Sequence, residues 1–100
     1  MFPSTPFTKL AGVEYPILGA PMAGASTADL TVAISNAGGL GPVAAAALSP
    51  EAIHKEVAEV RKRTSKPFNI NLFVLGRPEP DPQHVARALE LLAPIREELG

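Results

Sequence analysis

The stretch 15–47, YPILGAPMAGASTADLTVAISNAGGLGPVAAAA, constrains the fold more than any other part of the chain. A short apolar segment leads into a Pro/Gly/Ala turn, then an alanine-rich segment, a glycine pair and a second apolar segment. Within about 33 residues, this order is that of one β–α–β unit. The turn at 21–26 has little side-chain bulk apart from Met22, which is typical of a loop whose backbone closely approaches a flat or phosphorylated ligand.

Predicted strands and helices alternate from Tyr15 onwards. The strands are predicted at 15–20, 40–44 and 67–74, and the first is apolar on both faces, which is typical of a parallel sheet covered by helices. Successive strand–helix pairs imply parallel strands joined by crossovers. The sequence therefore predicts an α/β fold in which residues 15–100 form three βα units, with residues 1–14 as a lead-in arm whose Phe7 and Leu10 pack under the sheet.

The predicted helices have recognisable starts and stops. Ser26 or Thr27 can cap the first, Ser49-Pro50 starts the second and Asp81-Pro82 the third. Gly38 is predicted to end the first helix in a left-handed conformation, and Gly100 to cap the last. The predicted inward residues, by helix, are Leu30, Ala33, Ile34 and Ala37; Ile53, Val57 and Val60; and Val85, Leu89, Leu92 and Ile95. Pro94 is predicted to bend or interrupt the last helix.

The third predicted strand carries two amides in an alternating pattern. Asn69 and Asn71 share one face, and Phe68, Ile70 and Leu72 share the other. Amides in an otherwise apolar strand are costly unless they are hydrogen-bonded. They either bond neighbouring loop backbones or, at the carboxyl end of a barrel strand, bond a heterocyclic ligand; the second interpretation is favoured for at least one of them.

Composition narrows the function classes. The chain is 46% apolar with a net charge of −1, so nothing electrostatic favours a nucleic-acid or membrane-surface partner. The absence of cysteine excludes disulfides and thiolate chemistry and fits a cytoplasmic protein. Neither a secretory signal nor a membrane span is predicted. The basic run 61–66 is interpreted as cation enrichment at a helix C-terminus, with Lys55 and Glu59 paired on the exposed side of that helix.

No complete catalytic apparatus is predicted within these residues. The glycines at 38–41 precede a strand, which is the wrong context for a dinucleotide fingerprint. His54 and His84 are predicted to be solvated residues on outer helices, and no metal site is predicted. Three βα units cannot close a barrel, which takes eight, so we expect a fragment of a longer chain.

Three segments carry a resemblance to a known family. The runs APMAGAST at 20–27, AISNAGGLG at 33–41 and KPFNINLF at 66–73 resemble the N-terminal signature and third-strand motif of nitronate monooxygenases. The similarity spans roughly residues 15–75 in the same order and spacing. It implies that residues 1–100 are the N-terminal part of a single FMN-binding (β/α)8 TIM-barrel domain. The implied reaction is the oxidation of alkyl nitronates by O2 to a carbonyl compound and nitrite.

The resemblance also implies site residues. The backbone of Ala20, Pro21 and Met22 would hold the edge of the flavin ring, Gly24 would keep the approach open, and Asn71 would hydrogen-bond the polar side of the ring. The resemblance implies glutamine in many relatives at the position of Gly19. Any contact that the glutamine side chain would make with the substrate or the flavin ring is therefore in doubt for this chain. The family's catalytic histidine and phosphate-binding glycines are expected downstream, so these 100 residues alone are predicted not to turn over.

Two alternatives stay open. An FMN-dependent enoyl-acyl-carrier-protein reductase shares the Ala-Pro-Met and Ala-Gly-Gly signatures and would take hydride from a nicotinamide. A non-catalytic βα module would instead fold only against another copy or a complementing chain. Besides the nitronate and O2, a homo-oligomer partner or a complementing chain is therefore left open.

Overall fold

The computed structural model describes residues 2–100, which form an α/β fold. Its two strands are parallel neighbours, and the helices between and around them follow the chain order predicted from Tyr15 onwards. The elements in order are α1 Pro6–Ala11, α2 Ala28–Asn36, β1 Gly41–Ala44, α3 Pro50–Arg63, β2 Phe68–Asn71 and α4 Pro82–Leu99.

The sheet is smaller than predicted. β1 and β2 pair in parallel with Gly41 opposite Phe68 and Ala44 opposite Asn71. The predicted first strand at 15–20 is reduced to one parallel bridge between Leu18 and Leu40, so the expected three βα units are not confirmed. Pro16 within this segment and Pro21 directly after it cannot donate ladder hydrogen bonds, which limits its pairing. The third predicted strand is also shorter, because it ends at Asn71 rather than at 74.

The N-terminal arm contains a helix that was not predicted. In α1, the Thr5 hydroxyl accepts from the Thr8 backbone N–H at 3.1 Å, and the Thr8 hydroxyl accepts from the Thr5 N–H at 2.9 Å. This reciprocal capping box satisfies two donors that the first turn leaves free. Leu10 is 88% exposed, so its predicted packing under the sheet is wrong.

The inward face of α2 differs from the predicted apolar face. Thr31, Val32 and Ser35 are buried, whereas Ala33 and Ala37 are exposed. The reason is that β1 passes close to α2, so that α2 side chains form hydrogen bonds with the backbone at the start of β1. The Thr31 hydroxyl donates to the Pro42 carbonyl, and the Ser35 hydroxyl accepts from the buried Gly41 N–H at 3.2 Å.

Gly41 makes this close approach of α2 and β1 sterically feasible. A Cβ on Gly41 would fall on the Thr31 carbonyl and within 2.7 Å of the Ser35 hydroxyl oxygen. No side chain fits there unless the helix moves away from the strand. Small hydroxyl side chains therefore occupy the part of α2 where the pattern predicted alanine and isoleucine.

The core lies between the helices and one face of the sheet. It consists of Val32, Val43, Ala45 and Val60, with Phe68 and Ile53 packed against it. Val60 and Ile53 lie on the predicted inward face of α3, which is thereby confirmed at these positions. On the exposed side of α3, Glu59 pairs with Lys62 at 3.4 Å rather than with Lys55 as predicted.

The last helix, α4, extends away from the core. Its predicted start is confirmed, since the Asp81 carboxylate accepts from the Gln83 N–H at 2.8 Å, and Gly100 caps its end. Pro94 lies inside the helix, which continues across it. Every residue of α4 is exposed, and the predicted inward side chains Val85, Leu89, Leu92 and Ile95 are 43–51% exposed. The prediction that they are buried is therefore wrong for residues 2–100.

In the part of the chain that the structure describes, no helix is both long enough and apolar enough to cross a bilayer.

Candidate functional site

The candidate site lies at the carboxyl edge of the parallel strands. β1 ends at Ala44 and β2 at Asn71, and the segment bridged to Leu40 leads directly into the loop 20–26. Parallel strands end on one side of a sheet, so this loop and Asn71 leave the sheet at the same edge. β1 separates them, so that two strand spacings, about 10 Å, lie between the loop segment and β2.

The loop is closed by the side chain of Ser26. Its hydroxyl accepts from the Met22 N–H at 2.8 Å and donates to the Ala20 carbonyl at 2.8 Å. The Met22 carbonyl accepts from the N–H groups of Ala25 at 3.1 Å and Ser26 at 2.8 Å. The polar backbone groups of Met22 are therefore used inside the loop.

Other backbone groups of the loop remain available to a ligand. Within residues 2–100, no hydrogen bond uses the N–H of Ala20, Ala23 or Gly24. Gly24 has φ +78°, a left-handed conformation that disfavours other residues, and a Cβ there would meet no atom within 4 Å. The loop thus presents free donors and open space around Gly24, with the Met22 side chain 48% exposed beside them.

The two asparagines of β2 lie on the face of the sheet opposite α2 and α3. Phe68 packs against the core, so the alternate residues Asn69 and Asn71 have the other face, which the register shares with Pro42 and Ala44. Of the predicted apolar face, only Phe68 packs against the core, because Ile70 is 45% exposed and Leu72 lies beyond the end of β2. The side-chain oxygen of Asn69 is buried without a hydrogen-bond partner among the described residues. A buried acceptor of this kind calls for a donor, so the face is suited to a polar ligand or a further polar segment.

Gly19 precedes the loop, at the position where the resemblance led us to expect glutamine in relatives. A Cβ on Gly19 would lie 2.6 Å from Cδ of Pro42 and 2.8 Å from Cδ1 of Ile34. The packing of this chain therefore leaves no room for a side chain at position 19. Any contact that a glutamine makes in relatives has no counterpart from this residue.

The cavity nearest the loop does not gather the predicted residues. It has a volume of about 450 Å³ and lies between the loop, the start of α2 and α3. Of the five predicted site residues, only Gly24 lines it. Asp29 and Arg63 form an ion pair at the wall of this cavity. The guanidinium of Arg63, at the C-terminus of α3, therefore makes a structural contact.

Other titratable groups do not form a catalytic set. His54 and His84 are exposed, as predicted, and His84 lies 3.5 Å from the Asp81 carboxylate. A hydrogen bond with Glu14 and the charge of that carboxylate raise the pKa of Tyr15. Among residues 2–100, no group of three acidic or histidine side chains is arranged to hold a metal ion.

Sequence reasoning missed the role of Ser26. It offered Ser26 and Thr27 as alternative caps of α2, but the cap is Thr27, whose hydroxyl accepts from the Leu30 N–H at 3.4 Å. The sequence did contain a signal. A helix N-cap needs only one hydroxyl side chain, so of the adjacent Ser26 and Thr27 one hydroxyl is free to bond another group.

Comparison with known proteins gives the family. The family model described as nitronate monooxygenase matches residues 4–97. The nitronate monooxygenase of Pseudomonas aeruginosa is 44% identical over 94 residues, covering 94% of this chain and 27% of that protein. The nitronate monooxygenase of Paraburkholderia phytofirmans is 42% identical over 91 residues, covering 91% of this chain and 25% of that protein. The chain thus spans about a quarter of the length of these curated relatives.

Solved structures agree with this result. A nitroalkane oxidase from Streptomyces ansochromogenes superimposes with a TM-score of 0.71 at 34% identity, over 89% of this chain and 24% of that one. FabK from Thermotoga maritima superimposes with a TM-score of 0.69 at 40% identity, over 77% of this chain and 24% of that one. The chain belongs to the nitronate monooxygenase family.

Proposed function

We propose that this chain supplies the flavin-ring edge of an FMN-dependent (β/α)8 barrel that oxidises alkyl nitronates with O2, giving a carbonyl compound and nitrite. Family membership over residues 4–97 supports the reaction class. Because the chain spans about a quarter of its relatives' length, the activity is proposed for the complete enzyme rather than for these 100 residues. The catalytic histidine and the phosphate-binding glycines are proposed to lie outside them.

The single observation that carries the cofactor proposal is the loop with its unused backbone donors. The N–H groups of Ala20, Ala23 and Gly24 have no partner within residues 2–100, and within the loop itself Met22 carries the largest side chain. A flat heterocycle with acceptors along one edge fits such a set, because the backbone can approach it closely. The residues present therefore fit the ring of FMN.

Each predicted residue has a physical role in this proposal. Ala20, Pro21 and Met22 form the wall along the ring edge, and Gly24 leaves the approach unobstructed. Because the backbone polar groups of Met22 are occupied, that residue would act through its side chain and through the loop shape that it shares with Ser26. The Asn71 amide can donate and accept at once, which suits a ring edge that alternates donors and acceptors.

FMN, when bound, would accept electrons from the nitronate and pass them to O2. The protein's part is to hold and orient the ring and to limit water around it. The unpartnered oxygen of Asn69 on the same sheet face suggests a further polar contact there, from the cofactor or from another segment.

The first test is the absorbance spectrum of the purified complete enzyme, followed by an assay of its oxygen-dependent nitrite release from an alkyl nitronate. Asn71→Ala is expected to weaken FMN binding about tenfold, because a buried ring acceptor or donor loses its partner. Asn36→Ala is the matched control, since its exposed amide oxygen accepts from the Thr64 hydroxyl at the C-terminal end of α2, whereas the loop 20–26 precedes its N-terminal end. A colourless protein, or equal FMN affinity in both variants, would contradict the proposal.

A flavin reductase that takes hydride from NAD(P)H is the second candidate. The superposition with FabK at 40% identity favours keeping it. Rapid anaerobic bleaching of the flavin by NADH, without nitrite release from nitronates, would select the reductase. Nitrite release without a nicotinamide would select the monooxygenase.

A further inference from the structure

The Ser26 hydroxyl forms a bridge across the candidate flavin loop. It takes a hydrogen bond from the Met22 N–H and gives one to the Ala20 carbonyl, each at 2.8 Å. The second bond spans six positions along the chain. Since Thr27 caps α2, the helix does not need this hydroxyl. Its two contacts serve the loop.

This bridge decides which backbone groups the loop can offer. With Met22 N–H held by Ser26, and with the carbonyls of Ala20 and Met22 also bonded, the free donors at the tip are those of Ala23 and Gly24. Both lie inside the turn that the Met22 carbonyl closes by accepting from the N–H groups of Ala25 and Ser26. Without the hydroxyl, the Met22 N–H would be released and the chain from Ala20 to Ala25 would lose its cross-link.

We propose that Ser26 is a positioning residue for the flavin ring, which keeps the N–H groups of Ala23 and Gly24 aimed at the ring before the cofactor binds. The proposal rests on the proposed function. A loop that is ordered in advance does not lose conformational freedom on binding, so the bridge favours affinity without touching the ligand. A hydrogen bond of this kind is expected to be worth about five- to tenfold in FMN affinity.

The test compares three variants of the complete protein. Ser26→Ala removes the bridge, Ser26→Thr keeps a hydroxyl, and Thr27→Ala removes only the helix cap. The first readout is amide hydrogen exchange at Met22 in the flavin-free protein. The second is the FMN dissociation constant, measured by quenching of free FMN fluorescence.

Ser26→Ala is expected to speed exchange at Met22 several-fold and to weaken FMN binding about five- to tenfold. Ser26→Thr should restore both properties in large part. Thr27→Ala should speed exchange at Leu30, whose N–H it bonds, and leave Met22 unchanged. This contrast separates loss of the bridge from general loosening of the segment.

Two results would overturn the inference, and they differ from failure of the proposed function. Unchanged exchange at Met22 in Ser26→Ala would show that the hydroxyl does not hold the loop. Faster exchange with unchanged FMN affinity would show that loop order does not matter to the ring. A protein that binds no flavin would overturn the proposed function and the positioning role together, and the Met22 exchange would then still report whether the bridge exists.

Discussion

The buried contact between Ser35 and Gly41 gives a sharp test of how α2 packs on β1. Ser35 is 1% exposed, and its hydroxyl oxygen accepts from the buried Gly41 N–H at 3.2 Å. Ser35→Ala removes the acceptor and leaves the strand's N–H facing a methyl group. No larger group is introduced, so the helix can stay in place.

The expected cost follows from two opposing terms. A buried donor that loses its partner costs about 1–3 kcal/mol. Alanine in place of serine favours the helix by roughly 0.5 kcal/mol. The free energy of unfolding is therefore expected to fall by about 0.5–2.5 kcal/mol, the net of these two effects.

Urea denaturation followed by far-ultraviolet circular dichroism measures this change. Ala33→Ser is the matched control, because Ala33 is exposed on the same helix and the substitution reverses the propensity term alone. It should lower the free energy of unfolding by roughly 0.5 kcal/mol. If Ser35→Ala is neutral or stabilising while Ala33→Ser behaves as expected, the hydrogen bond to Gly41 does not support the packing of α2 on β1.

Two further predictions concern the start of β1 and the start of α3. Gly41→Ala should destabilise by about 3 kcal/mol or more and lower the melting temperature, because its Cβ would fall on the Thr31 carbonyl; an unchanged melting temperature would refute the close approach. Hydrogen bonds from its own backbone N–H and from Ser49 lower the pKa of Glu51 below the ordinary value of a glutamate. Its contribution to stability is therefore present above that value and lost as pH falls through the lowered pKa, so Glu51→Gln should flatten this acid dependence in denaturation curves; an equally steep curve in the variant would count against it.

Helix boundaries were predictable because they depend on a few adjacent residues. The first turn of a helix leaves backbone N–H groups without a partner. The N-cap side chains of Ser49 and Asp81 accept from one such group each, and the prolines that follow them have no N–H to satisfy. Gly38 adopts φ +94°, as its place after α2 predicted. These features need no knowledge of what the helix packs against.

The packed face of α2 was not predictable in the same way. Leucine, isoleucine and alanine at helical spacing predicted one face, but the buried residues include Thr31 and Ser35. Their selection depends on a strand backbone that comes within hydrogen-bonding distance, which periodicity does not report. The same limit applies to the segment 15–20. The length of a strand depends on how many backbone hydrogen bonds it forms with the neighbouring strand, and this segment forms only the bridge between Leu18 and Leu40.

The candidate site was only partly predictable. Alternation placed Asn69 and Asn71 on one face, and small residues marked the loop at 20–26. The Ser26 bridge was not predicted, because a serine beside a helix start has a ready local explanation as a cap. The three-dimensional path of the loop, rather than its composition, determined the actual partner.

Glycine is required at positions 24 and 41 for two different physical reasons. At Gly24, the backbone has a positive φ but the space beyond it is empty, so the restriction is on handedness. At Gly41, the Thr31 carbonyl occupies the place of a Cβ, so the restriction is on volume. A residue of mirror-image chirality would satisfy the first position without strain, whereas no added atom satisfies the second. The loop is thus limited by chirality alone and keeps room to accept chemical variety, while the strand beside it does not.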